Sequence, residues 1–173
     1  MKYLLIFIFV FGAMFYFFYG FEKYEVPQNP VKADLIVVEK SSRRMSLYSQ
    51  DNIIKTYKIA LGKNPVGAKE REGDNKTPEG EYNIVAHNAK SAFHKSLRIS
   101  YPNEKDLAQA RQKGVKAGGD IMIHGLPNHI PDKIFLTYHN RVDWTAGCIA
   151  VNNREIEEIW NMVPDGTKII IKP

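Results

Sequence analysis

An uncharged apolar run near the amino terminus divides the chain into two physically different parts. Residues 3–21, YLLIFIFVFGAMFYFFYGF, contain no charged side chain and hold seven of the nine phenylalanines. A helix needs roughly 20 apolar residues to span a bilayer, and this run has 19. The sequence therefore predicts a transmembrane anchor at residues 1–21, and a folded domain has to be built from the remainder.

A cleaved signal peptide is the alternative interpretation of the same run. Signal peptides usually have a shorter apolar core and end in a small-x-small cleavage site. The residues YGFEK at 19–23 contain no such site, which favours an uncleaved anchor. Lys2 lies on the short side of the run, so the positive-inside rule places the rest of the chain outside the cytoplasm. We expect a single-pass protein of the inner (cytoplasmic) membrane whose domain faces the periplasm or the cell wall.

The remaining residues predict a short linker at 22–33 and one domain at 34–173 that is mainly β with a few helices (α+β). Runs of alternating or apolar residues predict the strands, and caps and apolar spacing predict the helices. The predicted strands lie at 34–39, 44–49, 53–61, 81–87, 97–101, 121–124, 147–151 and 167–172, and the predicted helices at 104–113, 131–139 and from 152 or 153 to 162. The loop at 62–80 is long for a compact domain, and such loops are usually functional or disordered.

Cys148 is the only cysteine of the chain and directly follows Gly147. A lone cysteine in an exported protein indicates a possible reactive thiol, although a buried structural cysteine is an equally good interpretation of the spacing. A cysteine nucleophile needs a nearby base, and His124 is the best candidate because it ends an apolar strand and precedes Gly125. Glycine at 147 allows a close backbone approach and can leave N–H groups free for an oxyanion.

A zinc site is a further alternative, because His124, His129, His139 and Cys148 carry suitable ligand atoms. Structural zinc sites usually show tightly paired ligands such as C-x₂₋₄-C. The first two histidines are five residues apart and no second cysteine exists, so we predict no metal.

Three segments in a fixed order resemble the YkuD-type L,D-transpeptidase catalytic-domain family. They are TPEGEY (77–82), IMIHG (121–125) and TAGCIAV (145–151), and the resemblance covers roughly residues 34–172. The chain departs from the family pattern at Ala146, where the family usually has histidine, and at Ala150, where it usually has arginine.

The resemblance implies a β-sandwich domain and assigns roles to four residues. Cys148 matches the nucleophile and His124 the general base and acid. Gly125 matches the residue whose backbone carbonyl orients the imidazole, and backbone N–H groups around Gly147 and Cys148 match the oxyanion hole.

Substrate contacts are expected from Thr145, which matches the Ser/Thr of the cysteine box, and from basic residues. Lys95 and Arg98, together with Arg71 and Lys76, are candidates for binding the carboxylates of a substrate peptide, although solvated lysines and arginines are common on any surface. The net charge of +5 suits an anionic substrate and decides nothing alone.

The activity implied by the resemblance is a cysteine-dependent L,D-transpeptidase reaction on the stem peptides of peptidoglycan, through a thioester acyl-enzyme. No cofactor and no nucleic-acid partner are implied. A hydrolase that uses the same Cys/His pair to cut peptidoglycan cross-links is one alternative. A non-catalytic wall-binding domain, in which Cys148 is only part of the core, is another.

Overall fold

The computed structural model describes residues 30–139 and 141–173. Within these ranges it shows eight strands and three helices. They are β1 (Leu35–Glu39), β2 (Arg44–Ser49), β3 (Asn52–Lys58), β4 (Gly80–Ser91), β5 (His94–Ile99), α1 (Glu104–Gln112), β6 (Met122–His124), α2 (Asp132–His139), β7 (Ile149–Ala150), α3 (Asn153–Met162) and β8 (Lys168–Lys172). None of these helices is long and apolar enough to cross a membrane. The predicted anchor at 1–21 and most of the predicted linker lie outside the described residues.

The eight strands form one continuous sheet in the order β3-β2-β1-β8-β4-β5-β6-β7. Strand β4 joins its two halves, because its first residues pair with β8 and its later residues pair with β5. At the far edges, Ala60 and Ala150 exchange two backbone hydrogen bonds of 2.9 and 2.8 Å. The predicted sandwich is therefore a single curved sheet whose two edges meet.

Helix α3 covers part of this sheet with an apolar stripe. Ile156, Ile159 and Met162 are buried and recur at the three- to four-residue spacing of one helix face. Asn152 and Glu155 form a capping box in which each side chain accepts a backbone N–H of the other residue, at 2.9 Å in both directions. This cap fixes the start of the helix immediately after β7.

The parallel pairing of β6 with β7 brings the two candidate catalytic residues together. His124 pairs with Ala150 in this register, so their side chains lie on the same face of the sheet. Cys148 directly precedes β7, and by the two-residue period of an extended chain we expect its side chain on the face of Ala150 and His124. A base at the end of one strand and a thiol at the start of the next thus point the same way.

The sequence predicts most elements within two or three residues of their observed bounds. The main difference is the β4–β5 hairpin, where β4 continues to Ser91 and β5 begins at His94. The segment 88–91 is polar and mostly exposed, so it carries no apolar alternation. It is extended because it pairs with β5 rather than because it buries side chains.

Candidate active site

His124 is a buried histidine with one ring nitrogen already engaged. Its Nδ1 lies 2.7 Å from the Gly125 carbonyl oxygen, so the contact implied by the resemblance is present. Because a carbonyl can only accept, Nδ1 carries the proton and Nε2 is left as the acceptor. Burial lowers the pKa of His124 to about 4, against the opposing effect of the Gly125 hydrogen bond. The imidazole is therefore neutral at pH 7 and able to take a proton at Nε2.

Gly125 is surrounded so closely that no side chain fits. A Cβ at this position would lie 2.6 Å from Asn153 Oδ1 and 3.0 Å from Ile156 Cγ2. Asn153 Oδ1 also accepts the Leu126 N–H at 2.7 Å. The start of α3 thus holds the loop after β6, and with it the carbonyl that orients His124.

Aromatic rings enclose His124. The ring centroids of Phe93 and Trp144 lie 4.5 and 5.5 Å from that of His124. Trp144 is itself fixed, because its Nε1–H donates to His139 Nδ1 at 3.1 Å and its ring meets Phe135 edge to face at 4.9 Å. These aromatic residues were not predicted from the sequence. The position of Trp144 directly before the TAGC segment could have indicated that its ring lies near the site. The rings keep water from most of the imidazole.

The Cys148 thiol is partly exposed and lies at the edge of the sheet. Burial raises the pKa of this thiol, and the Met122 N–H donates to the sulfur and opposes the shift. The thiol donates in turn to the Asp120 carbonyl oxygen, with a distance of 3.5 Å from Sγ. At neutral pH the resting thiol is protonated, so attack by this cysteine requires a base.

Residues 145–148, here called the nucleophile turn, are held by the Thr145 hydroxyl. Thr145 Oγ1 accepts the Gly147 N–H at 3.1 Å and donates to the Cys148 carbonyl at 2.7 Å. The side chain is buried, with 3% exposure. The hydroxyl uses its one donor and accepts one hydrogen bond inside the turn, and substrate contact by Thr145 stays a prediction.

Only glycine fits at position 147, and its N–H donates a hydrogen bond within the turn. The residue has φ of +135° and a Cβ would lie 2.6 Å from the Lys76 carbonyl oxygen, so a side chain is excluded. The sequence predicts a Gly147 N–H in the oxyanion hole, whereas the structure gives this N–H to Thr145. Among the described residues, the N–H groups of Ala146 and Cys148 have no acceptor, and that of Cys148 belongs to the nucleophile itself.

Arg98 and Lys95 lie on opposite faces of β5, as the two-residue period of a strand requires. Arg98 is exposed and forms a long contact of 3.5 Å with Asp120, the residue whose carbonyl meets the thiol. Lys95 is bound by Glu157 at 2.6 Å and lies over the Trp160 ring at 5.0 Å. Arg98 therefore lies beside the site, whereas Lys95 is engaged with α3, and substrate contact by either residue stays a prediction.

The long predicted loop at 62–80 is built against the nucleophile turn. Its Thr77 Oγ1 accepts the Gly62 N–H at 3.0 Å, and Gly62 forms a bridge with Thr145. Farther along, the Asp74 carboxylate accepts from Lys69 Nζ at 2.7 Å and from three backbone N–H groups of the same loop. Aspartate side chains in turns often accept hydrogen bonds from nearby backbone N–H groups, so this role of Asp74 could have been predicted from the sequence.

The residues that the structure describes contain no set of side chains that could bind zinc. No three His, Cys, Asp or Glu side chains converge there as a group able to hold a metal ion. His139 accepts the Trp144 indole N–H, and His124 donates to Gly125.

Comparisons with known proteins agree with this geometry. The chain is 31% identical over 134 residues to YafK of Escherichia coli strain K12, an alignment that covers 74% of this chain and 46% of that protein. It is similar in structure to the helical cell shape determining protein Pgp2 from Campylobacter jejuni, with 25% identity, a TM-score of 0.60 and coverage of 82% of this chain and 48% of Pgp2. An L,D-transpeptidase from Mycobacterium smegmatis shares the fold at 13% identity, with a TM-score of 0.53 over 82% of this chain and 59% of that one.

The chain spans about half the length of YafK and of Pgp2. The profile of the YkuD family, described as L,D-transpeptidase catalytic domain, matches residues 33–171, which is nearly all of the described region. The chain therefore belongs to the YkuD family of L,D-transpeptidase catalytic domains.

Proposed function

We propose that this protein is a cysteine-dependent L,D-transpeptidase that acts on peptidoglycan stem peptides through a thioester at Cys148. The observation that carries the proposal is the parallel β6–β7 pairing, which presents a neutral imidazole and a thiol on one face of the sheet. Membership of the YkuD family supports the same class of substrate.

In the proposed reaction His124 Nε2 removes the proton of the Cys148 thiol. The thiolate then attacks the carbonyl carbon of the peptide bond before a terminal D-amino acid, and the Gly125 carbonyl stabilises the imidazolium through Nδ1–H. His124 returns the proton to the departing amine, which leaves the remainder of the peptide as a thioester on Cys148. An amine from another stem peptide attacks the thioester, and the thiol is regenerated.

We assign the oxyanion donor to the Cys148 N–H. The Gly147 N–H is held by Thr145 at 3.1 Å, whereas the Cys148 N–H has no acceptor among the described residues. One such donor typically contributes roughly 3–4 kcal/mol to stabilisation of the transition state. The two hydrogen bonds of Thr145 keep this donor in place through the turn.

We also propose that residues 1–21 anchor the protein in the cytoplasmic membrane with the catalytic domain on the outer side. The uncharged run at 3–21 and Lys2 on its short side support this topology. A reporter fused after Pro173 that is active only outside the cytoplasm tests it. An active reporter is expected, and an inactive reporter on a stable fusion would contradict the orientation.

The catalytic proposal is tested with purified tetrapeptide and cross-linked muropeptides, analysed by mass spectrometry after incubation with the full chain in mild detergent. A new cross-link or exchange of the terminal D-amino acid is expected, and neither should form with Cys148→Ala. Addition of water that depends on Cys148 would instead identify a hydrolase. If wild-type and variant proteins both leave every substrate unchanged, the non-catalytic wall-binding alternative gains support.

A further inference from the structure

A cavity of about 520 Å³ opens beside the nucleophile turn. Its volume lies within the range of small-molecule sites, roughly 300–1,000 Å³. The loop at 64–76 forms one wall, and the residues around the end of α1 form the other. The lining residues are Asn64, Glu70, Arg71, Gly73, Asp74, Lys76, Lys113 and Val115.

One lining residue, Lys76, and the neighbour of another, Asn64, connect the cavity to the nucleophile turn. The Lys76 carbonyl oxygen packs on Gly147, where it lies 2.6 Å from the position of a Cβ. The residue before Asn64 donates its N–H to the Thr145 carbonyl at 3.0 Å. The cavity therefore lies next to the backbone that carries Cys148.

Ion pairs neutralise part of the charge in and around the cavity. Glu70 pairs with Lys113 at 2.9 Å, and Asp74 pairs with the buried Lys69 at 2.7 Å. Both acidic residues of the lining are therefore already matched by a basic residue.

Arg71 and Lys76 are the other two cations of the lining. The pKa of Glu70 is lowered mainly by Lys113 and, to a smaller extent, by the charge of Lys76, whose Nζ lies 3.2 Å from the position of a Cβ on Gly67. Within the described residues, neither side chain forms a hydrogen bond or an ion pair. Their backbones are nevertheless fixed, because the Asp74 carboxylate accepts both N–H groups at 3.1 Å. A guanidinium and an ammonium are thus held on a braced loop around an open space beside the nucleophile.

We infer that this cavity is a subsite for a free carboxylate of the stem peptide, bound by Arg71 and Lys76. An arginine fork matches a carboxylate with two parallel hydrogen bonds, and a lysine adds a point charge. The inference rests on the proposed function and specifies its substrate further. The carboxylate comes from the terminal D-amino acid or from the diaminopimelate-type residue before it.

The test measures peptide binding without turnover. Full-length Cys148→Ala protein in mild detergent is titrated calorimetrically with the tetrapeptide, alone and combined with Arg71→Gln or Lys76→Gln. Each of the two changes is expected to weaken binding about tenfold, the scale of a charge-assisted hydrogen bond at a partly exposed site. The matched control is the double variant Glu81→Gln/Lys168→Gln, which removes an exposed ion pair of 2.7 Å outside the cavity lining without changing the net charge and is expected to bind normally.

Two amidated peptides identify the source of the carboxylate. Each peptide has one of the two carboxylates converted to an amide. The bound carboxylate is the one whose amidation weakens binding to the Cys148→Ala parent. Binding of that amidated peptide should no longer change with Arg71→Gln. Equal affinity of the parent, Arg71→Gln and Lys76→Gln proteins for the tetrapeptide would overturn the subsite, as would the absence of measurable binding by the parent. Turnover by the protein that retains Cys148 decides the proposed function separately, so the two ideas can fail independently.

Discussion

The Thr145 hydroxyl offers the sharpest test of how the nucleophile turn is built. The change Thr145→Val keeps the size of the side chain and removes the hydroxyl, which leaves the Gly147 N–H and the Cys148 carbonyl without their partners. Leaving a buried polar group unsatisfied costs about 1–3 kcal/mol, so we expect the free energy of unfolding to fall by about 2–4 kcal/mol. At about 2–4 °C per kcal/mol, the melting temperature should fall by roughly 4–16 °C.

The same change should impair catalysis, because the turn also carries the proposed oxyanion donor. We expect peptide turnover to fall by about tenfold to a hundredfold, less than the full loss of a donor. Thr145→Ser is the matched control, since it keeps the hydroxyl and loses only a methyl group. Thermal unfolding and turnover of the two variants are compared directly. Equal melting temperatures and equal turnover would refute the role given to the hydroxyl.

Three further predictions concern the base, its titration and the glycine of the turn. His124→Ala should slow acylation at least ~10²-fold, measured by single-turnover release of the D-amino acid, and an unchanged rate would point to another base. Because burial lowers the pKa of His124 from 6.5 to about 4, wild-type kcat/KM should hold down to pH 5 and fall below it. The same lowered pKa means that the folded protein binds a proton at His124 less readily than the unfolded chain. The free energy of unfolding should therefore decrease as the pH falls from 6.5 through about 4, and a pH-independent melting temperature over this window would contradict this. Gly147→Ala should lower both the melting temperature and turnover, because its Cβ would lie 2.6 Å from a backbone oxygen, and wild-type values of both would contradict this packing.

Local patterns in the sequence predict the elements, because these depend on spacing, whereas the pairing of His124 with Cys148 as candidate catalytic residues rests on the family resemblance. Strand alternation and caps locate most of the helices and strands, and the TPEGEY, IMIHG and TAGC segments locate His124 and Cys148. Residues 95 and 98 differ by an odd number, so strand alternation alone predicts that Lys95 and Arg98 lie on opposite faces of β5.

Other features depend on contacts between distant segments and had no local signal. Trp144 donates a hydrogen bond to His139 and packs on His124. Both contacts depend on how α2 and the residues after it fold against β6. The hydrogen bond from the Gly147 N–H to Thr145 depends on the conformation of a tight turn, which the sequence TAGC does not specify. The cavity beside Lys76 likewise exists only once the 62–80 loop packs on that turn.

The formation of a thioester at Cys148 is tested most directly by the intact mass of the full chain after brief incubation with tetrapeptide. We expect an adduct equal to the peptide minus its terminal D-amino acid, mapped to Cys148 and absent from Cys148→Ala. Release of the D-amino acid by Cys148→Ala at the wild-type rate would contradict it, because the acyl group would then never have been carried by the only cysteine of the chain.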